Sequence, residues 1–185
     1  MKVLVVHDYG TLSGGAEHVS VLLRDGLRRR GHDARMFAST ARPLRIENVA
    51  DYACYGTTSR GRKVLQAANP WAARRLRMVL REFGPDIVHL RMFLTQLSPL
   101  ILRPLAGFRT LLHVSSYEMI CPLLVKTLPD GSSCRRVVGM ACYGEGCVSL
   151  MGIGFREAGP PCSSRKPVAN PSPDNLVDSD RLVLI

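Results

Sequence analysis

Near the amino terminus, Gly10-Thr11-Leu12-Ser13-Gly14-Gly15 separates an apolar run from a periodic segment, and Glu17 follows two residues later. Glycines in such a turn let backbone come close to a ligand, and the unpaired amides that open a helix attract phosphate or carboxylate oxygens. The spacing is neither the G-x-G-x-x-G of a dinucleotide site nor the G-x-x-x-x-G-K-[ST] of a phosphate loop, which disfavours both of those nucleotide folds. The same residues also fit a plain turn, with Gly14-Gly15 giving room and Glu17 capping the helix. His7, His89 and His113 lie near the ends of apolar runs, where an imidazole can meet a ligand or simply satisfy a strand terminus. No Ser, His and Asp set follows from linear spacing, because such sets are defined by geometry, and no catalytic residue is assigned. Cys121, Cys134, Cys142, Cys147 and Cys162 cluster late in the chain, with Cys54 far upstream. Four thiolates can hold a tetrahedral zinc, but no C-x-x-C pair exists; partly buried reduced thiols are the alternative, and no metal is assigned.

These residues need elements to hold them. Lys2 to His7 is a short, nearly continuous apolar run, the pattern of a strand buried on both faces. From Gly15 to Arg30 the apolar Ala16, Val19, Leu22, Leu23 and Leu27 recur at helical spacing, with Arg24, Asp25, Arg28 and Arg29 expected on the other side. Arg28, Arg29 and Arg30 suit the negative helix end, and Gly31 stops it. Asp33 to Ala38 makes a second strand, completing a strand, helix, strand unit that requires a parallel pair. Asn69-Pro70 is a helix start, with Trp71, Leu76, Val79, Leu80 and Phe83 as its apolar face and Gly84-Pro85 as its stop. Asp86 to Leu90 is another strand, Leu97 to Leu105 a helix interrupted near Pro104, and Thr110 to Val114 a further strand.

Composition narrows the partners more than the fold. The 185 residues suffice for an ordinary core, and an apolar share of 46 % excludes disorder of the whole chain. Lys and Arg at 25 against Asp and Glu at 15 leave +10, which favours anionic ligands or surfaces. Val3 to Val6 is too short for a signal-peptide core, and the apolar stretch from Leu97 to Val114 is broken by Pro99, Arg103, Pro104 and Arg109. A cytoplasmic location is expected, with contact at the inner membrane face open to the basic helix that carries Trp71, Arg74, Arg75, Arg77 and Arg81. Aromatic residues at 6 % and the lack of an RNA-binding signature argue against nucleic acid.

Ser13-Gly14-Gly15-Ala16-Glu17, then Leu22-Leu23, Leu27 and Gly31-His32, resembles the opening of the N-terminal half of family-four glycosyltransferases, retaining enzymes of the GT-B fold. The resemblance continues through Pro85-Asp86-Ile87-Val88-His89, Ser98-Pro99, the strand at Thr110, and Tyr117 to Cys121-Pro122; Pro129-Asp130-Gly131 with Cys134 looks like a Cys-bearing insertion of a subset of the family. It implies an α/β fold: a Rossmann-like parallel sheet with helices on both faces, the N-terminal half of a GT-B fold, plus a Cys-containing loop excursion. The expected organisation is an acceptor-side domain over residues 1–158 that includes the excursion over 121–158. A Pro- and Ser-rich linker or disordered stretch follows over 159–180, and a further strand begins at 181–185, where the chain looks truncated.

The resemblance implies a nucleotide-sugar donor, held mostly by a C-terminal half outside these residues, and a glycan or lipid-linked acceptor, with no cofactor. Gly14, Gly15, Glu17, His89, His113, Ser115 and Ser116 are the implied substrate-binding residues. Two positions depart from the family. Ser115-Ser116 stands where a His-Asp or His-Glu pair is common, and His89-Leu90-Arg91 where His-x-His is usual. Serine cannot supply the charge or proton chemistry of imidazole. The alternative expectation is therefore a non-catalytic sugar- or anion-binding module that needs a separate donor domain.

Overall fold

The computed structural model describes residues 1–44, 46–59 and 61–115, then 117, 120, 121, 125–127, 132–136 and 142, and the backbone of 182–184. The chain divides into two compact units, Met1–Ser115 with Asp178–Ile185, and Ser116–Val177. In the first unit β1 (Lys2–Tyr9) leads through α1 (Gly15–Arg29) to β2 (Asp33–Ser39) and β3 (Tyr52–Cys54). Then come α2 (Arg62–Ala67), α3 (Pro70–Phe83), β4 (Ile87–Leu90), a 3-10 turn (Pro99–Ile101), α4 (Leu102–Leu105), β5 (Thr110–Leu112) and β6 (Leu182–Leu184). All pairings are parallel, in the order β3-β2-β1-β4-β5-β6. Chain direction across the sheet therefore reverses between β3 and β4. Because parallel crossovers are right-handed, α1 and α3 lie on opposite faces.

α3 follows its sequence pattern closely. The Asn69 side chain accepts from the Ala72 amide at 3.0 Å, Pro70 opens the helix, and Gly84 ends it in the left-handed conformation at φ 58°. Ala72, Leu76, Val79, Leu80 and Phe83 are buried against Leu4, Val6, Phe37, Val88, Leu90 and Leu112, which alternate along their strands. Each fully buried large side chain there contributes roughly 1.5–3 kcal/mol. Trp71 is the exception to the expected face: it is 58 % exposed and meets Tyr55 edge-on at 6.0 Å between ring centroids.

α1 corrects the expected pattern. Its buried residues are Glu17, Ser20 and Arg24, whereas Val19 is 47 % and Leu22 62 % exposed. The cause is the connection between β2 and β3. Arg24 donates to Asp25 Oδ1 at 2.8 Å and to the Val49 carbonyl at 2.6 Å, while Arg28 donates to Asp51 Oδ1 at 2.7 Å and to the Ala34 carbonyl at 2.7 Å. Asp51 Oδ2 also accepts from the Met36 amide at 2.8 Å. These charge-assisted bonds turn the polar side of the helix inward, overriding its apolar period. The helix stop is as expected, with Gly31 at φ 81° after Arg30.

Three boundaries also differ. β1 runs on to Tyr9, so His7 lies within the strand rather than at its end. The expected helix from Leu97 is a 3-10 turn and one α turn over Pro99–Leu105, because the chain from Thr95 to Leu97 is held by other bonds described below. β5 stops at Leu112, two residues before Val114. In the second unit, Thr127 bridges Ser133 and the Cys134 amide donates to the Lys126 carbonyl at 2.9 Å. The Pro129-Asp130-Gly131 turn, most of the excursion over 121–158 and the whole of 159–180 lie outside the described residues.

Candidate functional site

Register decides which side chains meet. Val5 pairs with His89 and Val6 with Leu90 across β1 and β4, and His89 pairs with Leu111 across β4 and β5. One step further, the Arg91 amide donates to the Val6 carbonyl at 3.0 Å and the His113 amide to the Leu90 carbonyl at 2.8 Å. Side chains alternate along strands, so His7, His89, Arg91 and His113 share one face at the carboxyl edge of the sheet, the face opposite the α3 core. That edge lies where the strand order reverses, which is where open α/β sheets take ligands.

α1 brings its first turn to the same edge. No side chain caps the helix, Gly14 is extended, and Gly14 and Gly15 are exposed. Glu17 therefore does not cap as expected; its carboxylate is buried in the first turn, close enough to Gly14 that a Cβ there would sit 2.8 Å from Oε2. A Cβ on Gly15 would meet nothing within 4 Å, so the space beside it is open.

The imidazoles are held neutral. His89 Nε2 and His113 Nδ1 are 3.3 Å apart, one donating and the other accepting. Burial, then His113 and the Arg91 guanidinium, push His89 down to about 4, and burial with Arg91 lowers His113. Burial also lowers His7, against the upward pull of Asp8 and Glu17. His7 Nδ1 lies 3.2 Å from both the Tyr9 amide and the Tyr9 carbonyl, accepting from the first or donating to the second according to its tautomer, and Nε2 is a buried nitrogen with no partner. Arg91 is 5 % exposed, and its Nε and Nη1 are buried without an acceptor. It is the fixed positive charge of this face. Neutral imidazoles with lowered pKa values offer hydrogen bonds to hydroxyl groups at neutral pH and are poorly matched to proton transfer there.

A second polar network fixes the loop behind the site. Asp8 Oδ1 accepts from the Gln96 and Leu97 amides at 2.7 and 2.9 Å, and Oδ2 from the Thr95 amide and hydroxyl at 2.9 and 2.7 Å. Gln96 in turn bonds Thr57, and Asn69 donates to the Gln96 and Tyr55 carbonyls. Ser98 accepts from the Asn69 amide at 2.9 Å while its backbone holds φ 65°, ψ 162°. A non-glycine residue in that region costs about 1–3 kcal/mol, a strain that the surrounding bonds maintain. β1 slips register against β2 between Val6 and Tyr9, the local irregularity from which Asp8 reaches this loop.

Of the residues expected from sequence, Glu17, His89 and His113 come together with the Gly14-Gly15 turn. Ser115 is exposed on the chain leaving β5, and Ser116 lies outside the described residues. His7 was only one of two readings, while Arg91, Asp8 and Gln96 carried no local signal beyond the departure at Arg91 itself. Cys54 at the end of β3 is buried, and burial followed by Asp8 pushes its thiol up to about 12, so it stays protonated and is no nucleophile. Cys121 is buried and Cys134 and Cys142 are half-buried; Cys147 and Cys162 lie outside the described residues.

A parallel sheet whose order reverses beside a glycine turn and an uncapped helix start defines a Rossmann-like α/β domain with a ligand edge. The chain belongs to Glycosyltransferase Family 4, whose model matches residues 13–114, more than half its length. The match runs from the turn before α1 through β5, and the fold is that of a GT-B N-terminal domain. No curated protein matches the chain.

Proposed function

We propose that this domain is the acceptor-binding part of a retaining glycosyltransferase that moves a sugar from a nucleotide sugar to a glycan or lipid-linked acceptor. The observation that carries the reading is the convergence of Glu17, His89, Arg91 and His113 on one face at the strand-order reversal, beside the open Gly14-Gly15 turn. Neutral imidazoles and a carboxylate suit hydroxyl-rich ligands, and the uncapped helix suits a phosphate. Gly14, Gly15 and Glu17 would border the bound sugar or phosphate, with His89 and His113 bonding hydroxyls and Ser115 lining the rim. Ligand-observed NMR on the 185-residue chain, with nucleotide sugars and neutral glycans, tests it. Saturation transfer to sugar protons, reduced in His113→Ala, is expected; no transfer to any of these ligands would remove the reading.

A non-catalytic binding module is the second reading, favoured by the low basicity of His89 and by Ser115 in place of a family histidine. Turnover assays separate the two: sugar transfer by a protein carrying this domain excludes the module, and binding without transfer supports it.

The outer side of α3 supports a peripheral contact with an anionic membrane. Trp71, Arg74, Arg77, Met78 and Arg81 are all exposed on it, and Val64 of α2 is exposed nearby in sequence. Arginines that attract lipid headgroups, interleaved with residues that enter the interface, are what such a surface requires. Sedimentation with phosphatidylserine-containing vesicles, but not with pure phosphatidylcholine, is expected, and Arg74→Glu with Arg77→Glu should abolish it. Equal binding to both vesicles would exclude this contact.

A further inference from the structure

Three buried nitrogens at the candidate site have no hydrogen-bond partner: His7 Nε2, Arg91 Nε and Arg91 Nη1. Buried donors left unpaired are costly, and a buried unpaired guanidinium more so, which makes this grouping unusual in a folded protein. The two residues are neighbours, because β1 and β4 are in register through Val6 and Leu90 and Arg91 continues the ladder onto the Val6 carbonyl. The guanidinium nitrogens fit ligand atoms that only accept, and His7 joins them in its Nε2–H tautomer. Glu17 is the opposite case, a buried carboxylate in the same electrostatic neighbourhood that forms no ion pair with Arg91 and caps no amide. It fits a ligand atom that donates.

We infer that His7 and Arg91 form an oxyanion subsite for a phosphorylated polyol or sugar, whose phosphate accepts from Arg91 and His7 while an adjacent hydroxyl donates to Glu17. The inference rests on the reading of this edge as a sugar site and narrows its ligand. Donors then meet acceptors: phosphate oxygens accept from Arg91 and from the Nε2–H tautomer of His7, and a hydroxyl donates a hydrogen bond to the Glu17 carboxylate. The Nε–H and Nη1–H bonds of a planar guanidinium diverge, so Arg91 can serve ligand oxygens on two sides in fixed directions that a lysine ammonium does not reproduce. The open space beside Gly15 and the unpaired first-turn amides leave room for the remaining phosphate oxygen.

The test is calorimetric titration of the 185-residue chain with glycerol 1-phosphate, inorganic phosphate, glycerol and uridine diphosphate. Glycerol 1-phosphate should bind more tightly than phosphate or glycerol. Arg91→Met should weaken it by about tenfold or more, with Arg91→Lys intermediate and the exposed control Arg30→Gln unchanged. Glu17→Gln should tighten inorganic phosphate by removing a neighbouring negative charge, while reducing the advantage of glycerol 1-phosphate over it. Uridine diphosphate that displaces glycerol 1-phosphate and depends equally on Arg91 assigns the oxyanion to the donor; failure to displace it assigns the oxyanion to the acceptor.

Without ligand, Arg91→Met should keep or raise the melting temperature, because it removes a buried unpaired charge. Unchanged phosphate binding in Arg91→Met overturns the subsite, as does a melting temperature that falls as far in Arg91→Met as in Glu17→Gln, since the two side chains would then be each other's partners. Persisting saturation transfer to neutral glycans in those cases leaves the broader sugar-site reading standing. Its absence from the unaltered chain removes that reading instead.

Discussion

The two faces of the sheet use the same strands differently. Under α3, Leu4, Val6, Val88, Leu90 and Leu112 form an apolar surface and the helix answers with Leu76, Val79, Leu80 and Phe83. On the other face, Val3 and Val5 give way to His7, and Ile87 to His89 and Arg91, as each strand approaches its carboxyl end. α1 meets that face with Glu17, Ser20 and Arg24, leaving Val19 and Leu22 outside. Where the partner surface is apolar, apolar period sets helix orientation; where polar groups need partners, their bonds set it.

The sharpest way to break the contrast is Leu76→Ala, which removes a fully buried side chain from the apolar face. It should cost roughly 3 kcal/mol in urea denaturation. Arg24→Ala tests the polar seam, where one guanidinium serves Asp25, Asp51 and the Val49 carbonyl. A loss of about 2 kcal/mol is expected, with local loosening of residues 46–51 seen by hydrogen exchange. A stability change near zero would mean that α1 is held by its half-buried leucines.

Acid supplies a graded probe of the histidine pair. The folded chain holds His89 near 4 against an ordinary 6.5, so between these values the unfolded chain binds more protons. This group's contribution to stability is therefore complete above pH 6.5, falls as pH drops through that window, and is gone below about 4. Urea midpoints at successive pH values should show that fall, and His89→Gln should flatten it. The smallest effect should come from Leu22→Ala, whose side chain is outward: within about 0.5 kcal/mol of the unaltered protein. A larger loss there would show that the apolar stripe of α1 is covered in solution.

Much of the frame was readable in the residues. A continuous apolar run for β1, a glycine turn, a periodic segment and a second strand fix a parallel unit whose handedness is constrained. α3 announced itself through Asn69-Pro70 at one end and Gly84-Pro85 at the other. The orientation of α1 was not legible, since its apolar period carries no information about Asp51 or the Val49 carbonyl more than twenty residues away. β3 has only three residues, too few for alternation to register. At the site, His89 and His113 could be nominated singly, but their contact follows from strand register. Arg91 stood out as a mismatch with a family pattern, and only its burial beside His7 gives it a chemical meaning.

Asp8 ties the end of the first strand to residues 87 to 89 positions later in the chain. A segment ending at β2 would contain the glycine turn and α1 packed on two strands, yet it would lack His89, Arg91 and the loop that Asp8 holds, so the ligand edge cannot arise from the opening unit alone. It comes into being when β4 arrives. The amides of Thr95, Gln96 and Leu97 thereby become clocks for this joint, exchanging with solvent when the Asp8 carboxylate lets them go.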